Sequence, residues 1–374
     1  MDTEECSYSW KQDSKLNNHI PIAQLMQVLE ALKQASHNIQ NHHNHFSDSD
    51  YSPSIKALFQ LQTILSTDSI LSQHLNRLKT LVDSLHNSKP SIKSFLTRPL
   101  ATHSITKVAA AIESELQSWI DYETITAVSS FISTTNNNND ENKNELLPLL
   151  TRFSQRLSQG FNRELQQLVL SFKLFSSLES LLLDDKSSHR IREHAGTAIA
   201  ALIRFNKDVF VGKLCMSPTV RALVNIASVR SIEVLCSLIR SIRSPIVDEV
   251  ESNGEIPKII ALLSSHETKL NVLAMECVLE IGYYGRKEAV EGMLKEGVVE
   301  KLVELQRLEV NNGRNSDFAN CVKRFAVQLE VGEGLRQREK REFKSEILMR
   351  VRKVCVSDAE TGSIVAEVLW GTSP

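Results

Sequence analysis

Four histidines stand within nine residues, His37, His42, His43 and His45, and six cysteines occur singly at Cys6, Cys215, Cys236, Cys277, Cys321 and Cys355. Imidazole and thiolate are the natural ligands of zinc and the softer transition metals, but such sites need them at short, fixed spacings. The histidine tract, HNIQNHHNHFSDSDY, has neither a regular spacing nor a cysteine beside it, so it reads as an exposed polar loop. No cysteine has a second one three residues away, and several lie in apolar helical stretches, where a reduced thiol acts as a small hydrophobe. Nucleophile and phosphate motifs are also missing. There is no HExxH and no GxSxG, Gly212-Lys213 is followed by Leu214 without the upstream glycine of a phosphate loop, and Gly332 and Gly334 form a lone pair between helices. His194, in REHAG, has no serine or aspartate placed to form a relay, so it reads as a structural or exposed histidine. Tyr283 and Tyr284, at a helix end, read as packing a turn. The expectation is no catalytic site, no cofactor and no metal.

The elements that carry these residues are helical throughout. The chain has 374 residues, of which 41% are hydrophobic and only 6% aromatic, which suits an all-α protein with more than one core. Residues 1–20 read as a flexible N-terminus. Residues 21–132 read as a helical bundle: Ile22, Leu25, Val28, Leu29 and Leu32 recur at helical spacing, a second run extends from Ile55 to Leu85, Pro90 and Pro99 punctuate, and a helix from Ile105 to Trp119 follows. The tract STTNNNNDENKNE, 133–145, lacks apolar residues and reads as a linker or long loop. From Leu146 the pattern becomes periodic. With Lys269 to Ile281 as template, the windows Arg190 to Leu202, Arg230 to Ile242 and Asp317 to Leu329 superpose, and their last apolar residues lie 40, 39 and 48 apart. The longest interval holds the stretch Asn311 to Asp317, an insertion loop. A period of about forty residues belongs to stacked helical solenoids, so 146–334 reads as the repeats and 335–374 as basic capping helices.

Gly254, Glu255, Ile256 and Pro257, with Ile260, Leu262 and Leu263, then Ala274, Cys277, Val278 and Ile281, then Gly297-Val-Val, resemble an armadillo repeat. The fold this implies is an armadillo-like right-handed superhelical solenoid preceded by the N-terminal bundle. That bundle, with DSILSQHLNRLKTLVDSL, is similar in style to the N-terminal domain of plant U-box armadillo ubiquitin ligases. No U-box signature stands between bundle and repeats, so direct ligase activity is not implied; a substrate adaptor in the ubiquitin pathway is the alternative that the resemblance leaves open.

In armadillo proteins the third helix of each repeat lines a groove, and import adaptors present tryptophan and asparagine ladders there. The superposition places the tryptophan positions at Thr197, Ser237, Glu276 and Arg324 and the asparagine positions at Ala201, Ser241, Glu280 and Gln328, so neither ladder is present. The candidate groove residues are Arg204, Arg230, Arg240, Arg243, Glu276, Glu280, Arg324 and Gln328. Glu276 and Glu280 offer sites for basic side chains of a partner, and the arginines offer sites for acidic ones. Net charge is +7 over Lys186 to Pro245, −6 over Ile246 to Glu309 and +5 over Val310 to Lys353. Alternating sign with few aromatics suits selective protein recognition better than nucleic acid. The expected function is a non-catalytic protein-interaction scaffold. Residues 336–353, basic with an apolar stripe at Phe343, Ile347 and Val351, read as a cap; the competing reading is binding to an anionic membrane surface or calmodulin. No stretch reaches the roughly 20 apolar residues of a membrane span, and no secretory or lipidation signal is present. The expected location is the cytoplasm or the nucleus.

Overall fold

The structure, a computed structural model, describes residues 92–134, 140–312 and 317–370, with a few positions between 26 and 80. The histidine tract at 37–45, most of the helices expected within 21–85 and the loop residues 313–316 lie outside the described residues. All described elements are helices, with no strand among them. The chain divides into two compact units, 1–126 and 127–374.

In the first unit, α1 (Ile92–Thr134) is longer than the helix expected at 105–119 and runs through Pro99 rather than starting after it. Val108, Ile112, Leu116 and Ile120 recur every fourth residue and are buried, the stripe that holds a helix against a core. Lys33 pairs with Glu113 of α1 at 3.6 Å.

The second unit begins within α1. Thr134 is still helical and α2 (Asp140–Ser158) starts inside the tract expected as a linker, leaving only 135–139 between them outside the described residues. The cause is the buried stripe Leu146, Leu150, Phe153 and Leu157, which anchors α2 and carries its polar first turns into helix. Four three-helix repeats follow. The first is α3 (Arg163–Ser171), α4 (Leu174–Leu183) and α5 (His189–Phe205); the second is α6 (Lys207–Cys215), α7 (Thr219–Ile226) and α8 (Val229–Ile242). The third is α9 (Ser244–Ser252), α10 (Ile256–Leu262) and α11 (Thr268–Tyr284); the fourth is α12 (Lys287–Lys295), α13 (Val298–Asn312) and α14 (Cys321–Val331). Every first helix has 9 residues. Much of the extra length in the fourth repeat is helix rather than loop, since α13 has 15 residues where α7 has 8 and α10 has 7.

Local chemistry fixes the breaks. Ser228 and Ser231 satisfy each other's backbone amides at the start of α8, at 3.1 and 2.9 Å. Asn162 caps α3 and Ser188 caps α5, and proline stands in the first turn of α9 and of α10, where its missing N–H costs no helical bond. The turns from first to second helix in the third and fourth repeats need a left-handed residue, supplied by Gly254 (φ 67°) and Gly297 (φ 77°).

Helices α2, α5, α8, α11 and α14 form one inner column, each packed on the next. Behind them α6, α9 and α12 pack in sequence, and α4 packs on α7. This is the layering of an armadillo-like all-α solenoid. Helices α15 (Gln337–Val354) and α16 (Asp358–Trp370) take the next places, α15 on α13 and α14, α16 on α14. Phe343, Ile347 and Val351 of α15 are buried in that contact. Arg307 of α13 clamps α16 by a two-point bond to Glu360, at 2.8 and 3.1 Å.

Candidate functional site

The inner column presents a row of side chains that its packing does not consume. In each third helix the apolar stripe, such as Ala195, Ile199 and Leu202 in α5 or Leu235, Leu238 and Ile242 in α8, faces the second helices and is buried. The opposite face leaves Thr197, Ser237, Glu276 and Arg324 half-buried at one position per repeat, as the superposition expects.

The edge formed by the C-terminal ends of these helices is drawn tight. Arg243, at the end of α8, donates to Glu333 at 3.2 Å, two repeats ahead, with its guanidinium 6.0 Å from the Tyr284 ring centroid between them. Neighbouring helix axes lie about 8–10 Å apart, so a direct ion pair across two steps requires the helix ends to converge. The backbones confirm the convergence: Glu333 and Gly334 both donate to the Tyr283 carbonyl, at 2.8 and 3.2 Å, and Ser244 Oγ donates to the Tyr284 carbonyl at 2.7 Å. A Cβ added at Gly334 would stand 2.0 Å from the Gly285 oxygen, so only glycine permits the approach. Gly332 and Gly334, unassigned by the sequence, make this seam.

The charged groove residues fall into two classes. Arg240 Nε donates to Glu280 at 2.6 Å and its Nη2 to Glu276 at 3.2 Å, so both carboxylates already carry a cation from the neighbouring repeat. Arg324 donates to the Asp317 carbonyl at 3.0 Å and touches the Met275 sulfur at 3.9 Å. Gln328 is half-buried on α14, its carbonyl engaged by Gly332 N–H. Arg204 is exposed at the end of α5 and has no ion pair among the described residues.

Arg230, like Arg324, is held by a neutral partner, here a histidine of the preceding inner helix. Thr151 Oγ1 donates to the Leu147 carbonyl at 2.9 Å, which leaves its oxygen to accept from His194 Nδ1 at 3.2 Å. His194 Nε2 is then the acceptor for Arg230 Nη1 at 2.5 Å, a tautomer assigned from this network. Burial lowers the His194 pKa below its ordinary 6.5, and the nearby Arg230 and Arg190 lower it further against the opposing pull of Glu193. The chain Thr151, His194, Arg230 therefore crosses three successive inner helices without a carboxylate. Sequence reading left His194 without a role; the available signal was that Arg190 and Arg230 open superposed windows.

The basic helix α15 spends several of its charges internally. Lys340 donates to the Gly332 carbonyl, Lys344 pairs with Glu330 at 2.9 Å, and Arg350 bonds Glu346 and the Leu294 carbonyl. With its apolar stripe buried, its amphipathic face is already covered by the solenoid. Among the described residues no single helix is long and apolar enough to cross a membrane, and no group of three His, Cys, Asp or Glu could hold a metal ion.

No family model matches the chain, and no curated protein matches it. Among solved structures it is similar to a designed armadillo repeat protein, with 16% identity over 64% of this chain and 99% of that one and a TM-score of 0.44. A designed armadillo repeat protein in complex with a (KR)4 peptide gives 18% identity, coverages of 66% and 99% and a TM-score of 0.44. An engineered protein covers 95% of this chain and 96% of its own, at 14% identity and a TM-score of 0.46. At these scores the likenesses carry no weight beyond the helix contacts described above.

Proposed function

We propose that the chain is a non-catalytic interaction scaffold that binds protein partners along its inner column. The observation that carries this reading is the row Thr197, Ser237, Glu276 and Arg324: positions half-open to solvent, one per repeat, on four helices packed in sequence. A surface that repeats at a constant step can be paired residue by residue by an extended chain, which is how stacked repeats are generally used. A photo-crosslinking residue at Thr197 or Ser237 is expected to capture discrete partners in native extract, whereas the same residue at Lys213 on α6 is not. Capture from Lys213 alone, or equally from all three positions, would rule out the inner column as the binding face.

A further inference from the structure

Arg240 and Arg243 on the inner column are neutralised by carboxylates of the chain itself. Arg230 is held by neutral His194, so it is oriented without losing its charge. Arg190 stands one turn before His194 on α5, exposed and without an ion pair among the described residues. Lys269, at the superposed position of α11, is likewise exposed. Glu193 and Glu233, three residues after Arg190 and Arg230, and Glu267, two before Lys269, form no ion pair among the described residues.

The geometry points to Arg190 and Arg230, flanking His194, as the docking site for a carboxylate-rich peptide segment of a protein partner, with Lys269 as its next contact. This rests on the inner-column reading above and adds the chemistry of the partner. A guanidinium fixed in orientation can take a carboxylate through two parallel N–H donors. Successive inner helices about 8–10 Å apart match about three residues of an extended chain rising about 3.1–3.3 Å each, so acids three residues apart meet the three cations in turn. A basic segment is a poorer fit, because Glu276 and Glu280 already hold Arg240. Nucleic acid is a poorer fit too, since the row leads into the block of net charge −6 and lacks stacking aromatics.

The test uses the full chain and fluorescent peptides of equal length: one with glutamate at every third position in a Ser-Gly background, one with the same glutamates contiguous, and one with lysine replacing glutamate, beside an oligothymidylate of equal length. The spaced glutamate peptide is expected to bind, several-fold more tightly than the contiguous one. Its Kd should rise at least about tenfold in Arg190→Glu/Arg230→Glu, for two lost charge-assisted contacts, and stay within about twofold in Lys207→Glu/Lys213→Glu on α6. Arg190→Gln/Arg230→Gln gives the same comparison should the reversals perturb folding, which circular dichroism reports. Equal loss in both charge-reversed variants, or oligothymidylate binding as strongly, would overturn the proposal. Equal binding of the two glutamate peptides would overturn the arrangement of one acid per helix. Binding of only the lysine peptide, with crosslinking still confined to Thr197 and Ser237, would sink the acidic partner and leave the scaffold reading standing; loss of that crosslinking pattern would sink both.

Discussion

Arg240 Nε meets Glu280 Oε1 at 2.6 Å, 40 residues further along the chain and on the next inner helix. The separation equals one repeat, so the ion pair is a product of the stacking register. Its geometry is good, yet Arg240 is 51% exposed and water screens it. A double-mutant cycle of Arg240→Ala and Glu280→Ala in urea unfolding should give a coupling of roughly 0.5–1 kcal/mol, most of it lost in about 1 M salt. Glu276→Lys/Glu280→Lys should destabilise the fold itself, because it faces Arg240 with two further cations. A full-sized coupling in high salt would contradict the pair's exposure.

Gly334→Ala should be among the most damaging single-methyl additions in the chain. The new Cβ would meet backbone of Gly285 and Tyr284 rather than a side chain that could move. Overpacking of this kind costs about 1–3 kcal/mol or more. Gly212→Ala, with open space around it, serves as the control and should stay within about 0.5 kcal/mol of the parent. Equal melting temperatures for the two variants would show that the seam at Tyr283 to Gly285 is looser than described.

The repeat architecture was legible because its signal is apolar periodicity. Leu202, Ile242, Ile281 and Leu329 fall on buried faces of the inner helices, as the superposition requires. The half-open row was legible for the same reason, since its positions lie at a constant offset from the buried ones. What the groove residues do was not, because pairing depends on neighbours about one repeat away. Glu276 and Glu280 look available in sequence, and only the side-by-side packing of α8 and α11 brings Arg240 onto both. Gly332 and Gly334 carry no motif, since close backbone approach is a property of the partner turn as well as of the glycine. The tract at 133–145 misled for a related reason: its second half is drawn into helix by buried residues that follow it, such as Leu146 and Leu150.

Glu255 at the head of α10 is only 1% exposed, and two half-exposed cations hold it, Arg221 of α7 at 3.3 Å and Lys258 at 2.8 Å. The arrangement is asymmetric. Removing the acid returns both cations to water, whereas removing both cations strands a buried carboxylate. Arg221→Ala/Lys258→Ala should therefore cost about 3 kcal/mol or more, and adding Glu255→Gln to that pair should recover much of the loss. Denaturant midpoints of the double and triple variants decide it, and a triple variant no better than the double would refute the asymmetry.

The thiols should divide by burial. Desolvation raises Cys321 to about 12, and hydrogen bonding with the free thiol of neighbouring Cys236, then burial, raises Cys277 well above the ordinary value of 9.0. Both are shielded and almost wholly protonated at pH 8, so iodoacetamide should not reach them in the folded chain. Cys215 and Cys355 are part-exposed and raised less by burial. Peptide mass spectrometry after brief alkylation should find label on these two well before Cys236, Cys277 or Cys321, with all of them labelled in urea. Early label on Cys277 would mean that the contact between α8 and α11 opens in the native state.

His194 makes the inner column sensitive to pH near neutrality. Its folded pKa lies below its ordinary 6.5, by burial first and then by Arg230. Above pH 6.5 the folded and unfolded chains both hold it neutral, and its contribution is complete. As pH falls below 6.5 the unfolded chain takes up the proton first, so stability declines until the folded value is passed, after which the decline from this group stops. Protonation also removes the Nε2 lone pair that accepts from Arg230, so the chain from Thr151 to Arg230 breaks at its centre. Asp184 and Glu360, whose pKa values are lowered below 3.8 and 4.5 by the Ser187 hydroxyl and by Arg307, lose their contributions only in a more acidic window. Denaturant midpoints should therefore start to fall as pH drops through 6.5 in the parent and fall less in His194→Asn. The His194 ring resonance should titrate below 6.5 in the parent and move upward in Arg230→Gln. An unchanged titration in that variant would show that Arg230 does not face the ring in solution, and the orientation of its guanidinium would fall with it.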